Sequence, residues 1–211
     1  MLIILVYSSC SPDFRTKMSI AHVKGENSGY MKCEMTIDAS VEEIAAYHFL
    51  AMSRRNVKLY HKASTSIREI GTINNHVYEF HLVRDFGFAL TPRQWLSKCI
   101  WKRLGESGKM ILVFDDIESS ELNQDSRNHH HIKASTIGYY LYEPVSQDSA
   151  SISRTKMTHI AQVGFGGHLP HLLVEMKAVA FLSTFIGTRK RYSKDYEIDL
   201  ERRKELLVKL K

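Results

Sequence analysis

Tyr140, Tyr142, Met157, His159 and Ala161 are the side chains best placed for chemistry, because they alternate along two β-prone segments late in the chain. A two-residue period puts such side chains on one face of a strand pair. A buried Tyr hydroxyl or His nitrogen on that face can orient a ligand hydroxyl, since apolar pockets use few polar groups. The same spacing also suits satisfied core tyrosines and a surface histidine. Arg84 and Arg93 carry planar forks that match a carboxylate or a phosphate. Arg93 can equally be a structural residue tied to a nearby acid or carbonyl. No two titratable groups stand at a spacing that makes a convincing acid–base pair. No catalytic residue and no cofactor are therefore expected.

Other motifs carry less. His129-His130-His131 invites a metal. Three consecutive histidines cannot all face one ion with good geometry, and no acidic or Cys ligand stands at useful spacing, so no metal site is expected. Gly164-Phe165-Gly166-Gly167 lacks the GK[ST] ending of a phosphate loop. Cys10, Cys33 and Cys99 are odd in number and far apart, which argues against a disulfide framework and for a reducing compartment. Arg189, Lys190 and Arg191 form the strongest basic cluster. At the end of a helix they complement the macrodipole. They are equally suited to contact an anionic membrane surface.

The elements that hold these residues follow from periodicity. Residues 18–24 read as a strand, and Met31, Cys33, Met35 and Ile37 alternate with polar residues as its hairpin partner. Ser40 with Glu43 makes a capping-box pattern, so a helix is predicted from Val41 to about Met52. The basic segment Arg54–Lys58 is expected as its exposed end. Strands are predicted at Ser66–Ile70 and Tyr78–Leu82, with the connection at Thr72–Asn75. A break follows at Gly87–Pro92. Gln94–Lys102 and Lys109–Asp115 form a hairpin across Glu106-Ser107-Gly108, with Trp95, Ser97, Cys99 and Trp101 on one face. Residues 118–131 read as a surface loop. Ile132–Tyr142 and Ser151–Gln162 form the last hairpin, joined across Glu143–Asp148.

Gly164 to Gly167 then make a flexible turn. Pro170 suits the first position of a helix, where its missing N–H costs nothing. From His171 to Ile186 only Glu175 and Lys177 are clearly charged, so this helix is expected to be covered on most sides. Leu172, Leu173, Met176, Val179, Ala180 and Ser183 recur at three- and four-residue spacing and are expected to line the floor of a hydrophobic chamber. Plain packing against the sheet is the alternative. Runs of strands with segregated helices indicate an α+β fold, here a curved antiparallel sheet wrapped around a long C-terminal helix.

The whole chain fits one domain. Its 211 residues are enough for a substantial core, and its ordinary globular composition excludes disorder throughout. The division expected is a tail or first strand over 1–17, the main domain over 18–195, and a charged tail or helix over 196–211. The apolar stretch at Met1–Tyr7 is too short to span a bilayer and lacks the basic residues that open a signal peptide, although a degenerate signal stays open. The net charge of +6 favours anionic surfaces. Nucleic acid is a poor partner, because aromatics are not interleaved with the basic runs.

Four stretches resemble one family. They are Met35-Thr36-Ile37-Asp38-Ala39-Ser40-Val41-Glu42-Glu43-Ile44, then Phe88-Ala89-Leu90-Thr91-Pro92-Arg93-Gln94-Trp95 with Trp101-Lys102-Arg103 after it, then Gly138-Tyr139-Tyr140-Leu141-Tyr142-Glu143-Pro144, and Gly166-Gly167-His168-Leu169-Pro170. In order and spacing they resemble the START (StAR-related lipid transfer) domains of the helix-grip, Bet v 1-like superfamily, closest to START-like domains of algae and oomycetes. Gln94 where the family has an acid, and Gly164 where many members have Asp, depart from the pattern. The resemblance implies a lipid or sterol held between sheet and helix without covalent chemistry. A cytoplasmic monomer is expected beside it, with peripheral contact with an anionic membrane left open by the basic cluster. An aromatase/cyclase-like enzyme of the same superfamily and an interaction module with a collapsed cavity are the alternatives. Physically, sheltering several hundred Å² of apolar ligand from water is worth roughly 10 kcal/mol, which a closed apolar chamber can supply.

Overall fold

A computed structural model describes residues 4–10, 16–23, 28–50, 53, 54, 58, 65–87, 90–120, 122, 130–145, 152–167, 169 and 171–210. Pro170, His168, His129, Phe88, Ala89 and the centre of the Arg54–Lys58 segment lie outside the described residues. Ten strands form one sheet: β1 (Ile4–Cys10), β2 (Thr16–Val23), β3 (Ser28–Ile37), β4 (Thr65–Asn74), β5 (Val77–Arg84), β6 (Arg93–Leu104), β7 (Lys109–Asp116), β8 (Ile132–Lys133), β9 (Ser135–Val145) and β10 (Arg154–Gly164). Their order is β1-β2-β3-β10-β9-β7-β6-β5-β4. Every pairing along that path is antiparallel. The two-residue β8 pairs parallel to β6, and it is too short to leave a periodic signal in the sequence. β4 runs on through Thr72-Ile73-Asn74, so the turn falls at Asn75-His76 rather than at Thr72–Asn75.

Three helices accompany the sheet: α1 (Val41–Phe49), α2 (His171–Arg191) and α3 (Asp195–Lys209). Ser40 caps α1, its Oγ accepting the Glu43 N–H at 3.2 Å. The helix ends at Phe49, short of the predicted Met52. α2 lies against β3 and β2, while α1 lies against β7, β9 and β10. This curved antiparallel sheet closed by a long C-terminal helix is an α+β helix-grip architecture.

Register shows how the strands build one inner face. Cys33 stands opposite His159, His159 opposite Tyr140, and Tyr140 opposite Leu112. The neighbouring row runs Met35, Met157, Tyr142 and Met110. The next runs Met31, Ala161, Gly138 and Phe114. The apolar residues of these rows join Ala178, Leu182 and Phe185 of α2 and Ile44 and Ala45 of α1 in one core cluster, with Tyr140 packed against it.

Two glycines make this geometry possible. A Cβ at Gly138 would run into the Ile160 carbonyl oxygen and come within 2.8 Å of Ala161 Cα and Phe114 Cζ. Only glycine allows that closeness of backbone and ring. Gly166 has a φ of 64°, and a Cβ there would strike the Lys133 carbonyl oxygen. This left-handed turn carries the chain off β10 toward α2.

The ends of the helices are also tied to the sheet. The Asp38 carboxylate, just past β3, accepts the Lys194 N–H at 3.1 Å, where α2 gives way to α3. Thr155 donates its hydroxyl to the Ala39 carbonyl at 2.8 Å, fixing β10 to the entrance of α1. Tyr47 of α1 meets Tyr192 edge to face, a favoured ring geometry, with centroids 5.6 Å apart.

Candidate functional site

The inner face carries a stack of rings at the junction of β9, β10, α1 and α2. Tyr140 lies between two imidazoles, with His159 at 4.3 Å and His48 at 5.0 Å between ring centroids. Phe114 sits beside this pair, 5.9 Å from His159 and 5.7 Å from Tyr140. From α2, Phe185 touches His159 at 5.1 Å, Tyr140 at 6.0 Å and His48 at 6.3 Å. Phe181 reaches His159 at 5.8 Å.

Within this apolar shell the polar atoms are few. The Tyr142 hydroxyl meets Nδ1 of His48 at 3.0 Å. Nδ1 of His159 meets the Tyr139 carbonyl at 3.2 Å. Thr16 Oγ1, His48 Nε2 and His159 Nε2 are buried without a hydrogen-bond partner. Such atoms are uncommon in native cores, because each forgoes water without replacement. Burial pushes the His159 pKa down to about 3 and that of His48 down to about 4, so both rings are neutral near pH 7. Burial also raises the Tyr142 phenol well above its ordinary value.

A second polar station lies at the end of β7. The Asp116 carboxylate accepts the Thr136 N–H at 3.0 Å and the Ser97 hydroxyl at 3.2 Å. Burial raises its pKa. Neither His48 nor Asp116 was identified from sequence. His48 sits on a short helix, and nothing in one dimension ties it to Tyr142, which is 94 positions away.

The structure brings together Tyr140, Tyr142, Met157 and His159 on the inner face, and all but Tyr140 are fully buried. It corrects the expected stripe on α2. Met176 is 59% exposed and Val179 41%, and Ala180 and Ser183 are exposed as well. Ser183 returns its hydroxyl to the Val179 carbonyl of its own helix. Leu173 is half-buried, and the side chain of Leu172 lies outside the described residues. The covered face is instead Val174, Ala178, Leu182 and Phe185. α2 is apolar on several sides, so more than one stripe satisfies helical spacing.

The basic residues separate too. Arg93 is buried, its guanidinium donating to the carbonyls of Phe165 and Thr91 and lying 5.9 Å from the Phe86 ring centre. Burial lowers its pKa. Arg84 is half-buried, opposite Arg93 on the neighbouring strand. Arg189 is only 8% exposed, which corrects its expected place in a membrane contact, while Lys190 and Arg191 are exposed. Among the described residues no helix is long and apolar enough to cross a membrane. None of them form a group of three or more His, Cys, Asp or Glu able to hold a metal.

No family model matches the chain, and no curated protein matches it. Solved structures do. The lipid transfer and protein localization domain of human StarD13 superposes with a TM-score of 0.64 at 16% identity, over 90% of this chain and 89% of that one. A STAR-related lipid transfer protein from Xanthomonas axonopodis gives 0.62 at 11% identity, over 89% of this chain and 98% of that one. Human StAR-related lipid transfer protein 5 gives 0.62 at 11% identity, over 91% and 88%. The chain has the helix-grip fold of the START domains.

Proposed function

We propose that the chain binds a hydrophobic ligand, a lipid or sterol, between its concave face and α2, and carries or senses it without covalent chemistry. The observation that carries this reading is Phe181. It lies on the covered side of α2, between Ala178 and Phe185, and touches His159, yet it is 39% exposed. An apolar ring that faces solvent on one side and His159 on the other is a natural entry point for an apolar ligand. The surface behind it is rich in methionine, with Met18, Met31, Met35, Met110 and Met157 all buried. Unbranched thioethers adapt to irregular shapes.

The chemistry of the stack supports a carrier over an enzyme. A general acid or base works best with a pKa near the operating pH. His159 at about 3 and His48 at about 4 are weak bases, and the Tyr142 phenol is a very weak acid. Membership of the START family, with kin among the START-like domains of algae and oomycetes, is part of the same reading. So are a monomeric, cytoplasmic state and peripheral contact of Lys190 and Arg191 with anionic lipid. Native mass spectrometry of the protein purified from a eukaryotic host tests the proposal. An apolar small molecule bound at one per chain, and recovered unchanged after delipidation and reloading, is expected. A protein that emerges empty and stays empty with every lipid class offered refutes it.

A further inference from the structure

We propose that the ligand bears an uncharged hydrogen-bond donor, a hydroxyl, and that Nε2 of His159 accepts it. This rests on the reading of the fold as a hydrophobic-ligand carrier and narrows the chemical class of that ligand.

The inference begins with the tautomer. Nδ1 of His159 lies 3.2 Å from the Tyr139 carbonyl oxygen. A carbonyl only accepts, so in the neutral ring Nδ1 carries the proton and Nε2 presents a lone pair. That lone pair is buried and has no partner. The ring itself is fully buried on the inner face of β10, and it meets Tyr140 at 4.3 Å, Phe185 at 5.1 Å and Phe181 at 5.8 Å. An acceptor shut away from water in this way forgoes a hydrogen bond that the unfolded chain makes freely. A ligand hydroxyl restores it.

The surroundings exclude the alternatives. Among the described residues, the groups that face His159 from the adjacent elements are Cys33, Tyr140, Phe114, Phe181 and Phe185, with His48 beyond Tyr140. None of these is a carboxylate, a lysine or an arginine. A ligand carboxylate or phosphate offers only acceptors, so it sets lone pair against lone pair and finds no cation among them to neutralise it. A bare hydrocarbon enters the apolar shell but leaves Nε2 unpaired. A long apolar molecule ending in one hydroxyl meets both requirements, and sterols and long-chain alcohols are that class.

Matched pairs test it on delipidated protein. The probes are cholesterol against its 3-O-methyl ether, and hexadecan-1-ol against 1-methoxyhexadecane and hexadecanoate. Each ether keeps the apolar bulk and the oxygen and loses only the donor. Wild type is expected to bind each alcohol at least about tenfold more tightly than its ether, within the range for one buried hydrogen bond, and to bind hexadecanoate less tightly than hexadecan-1-ol. His159→Phe keeps a ring of similar size and is expected to bring alcohol and ether to equal affinity. In wild type labelled with ¹⁵N-histidine, the Nε2 resonance of His159 is expected to move with the alcohol and stay with the ether. This readout stands even if the variant does not fold. Equal binding of alcohol and ether by wild type, a still Nε2 resonance, or tighter binding of hexadecanoate overturns the hydroxyl assignment while leaving the carrier reading intact. Failure of every probe, ethers included, to bind wild type also overturns the hydroxyl assignment; the carrier reading falls only if the same protein stays empty with every other lipid class offered.

Discussion

Acidification from pH 7.5 to 5 is predicted to destabilise the delipidated protein through His159 and His48. Burial lowers their pKa values from 6.5 to about 3 and about 4. In that interval the unfolded chain takes up protons that the folded chain refuses. Stability therefore rises with pH wherever the unfolded state binds more protons. It is full above about pH 6.5, falls as pH drops through the window toward the folded values, and levels off below them. At pH 5 each histidine sits about 1.5 units below its unfolded pKa, which amounts to about 2 kcal/mol per group and about 4 kcal/mol for the pair. The assay is urea denaturation at half-unit steps of pH, followed by circular dichroism. His159→Phe and His48→Phe should each remove about half of the fall, whatever their stability at pH 7.5, because the slope reads protons and not packing. The remaining histidines cancel in the comparison. A wild-type profile flat between pH 7.5 and 5, or a slope untouched by both variants, refutes the claim that these rings are held neutral inside the sheet.

Three sets of substitutions test the architecture by chemical denaturation. Gly138→Ala drives a Cβ into the Ile160 carbonyl. It should cost about 2 kcal/mol or more, a typical penalty for overpacking. A loss below about 0.5 kcal/mol, the scale of an inconsequential surface change, contradicts the close approach of β9 and β10. Leu182 is buried and Met176 exposed. Leu182→Ala should therefore cost about 2–5 kcal/mol. Met176→Ala should stay within about 0.5 kcal/mol. The reverse order would turn α2 over. Ser40→Ala removes the cap of α1 and should cost about 1 kcal/mol. No loss contradicts the Ser40–Glu43 bond.

The strands were the legible part of this chain, for a physical reason. A half-buried strand writes its two faces as alternate residues, as Met31, Cys33, Met35 and Ile37 do against Lys32, Glu34 and Thr36. The same alternation placed Tyr142, Met157 and His159 inward. α2 was legible as a helix but not in its rotation. Its apolar residues encircle it, so Leu173, Met176, Val179 and Ala180 fit helical spacing as well as Val174, Ala178, Leu182 and Phe185 do. Only the register of β2 and β3 beneath it chooses between the two. The Tyr142–His48 contact and the Ser97–Asp116–Thr136 station depend on long-range pairing, which leaves no local pattern. Arg189 read as surface charge because its helix neighbours Lys190 and Arg191 are, yet the helical twist between successive residues carries it inward.

Methyl NMR on protein labelled at the methionine Cε positions, titrated with cholesterol or hexadecan-1-ol, tests the central claim most directly. Met18, Met31, Met35, Met110 and Met157 line the concave face, whereas Met176 stands on the outer side of α2. Shifts at several of the inner five with Met176 unmoved are the result the account predicts. A response confined to Met176, or no response at any inner methyl under conditions where the ligand binds, contradicts it.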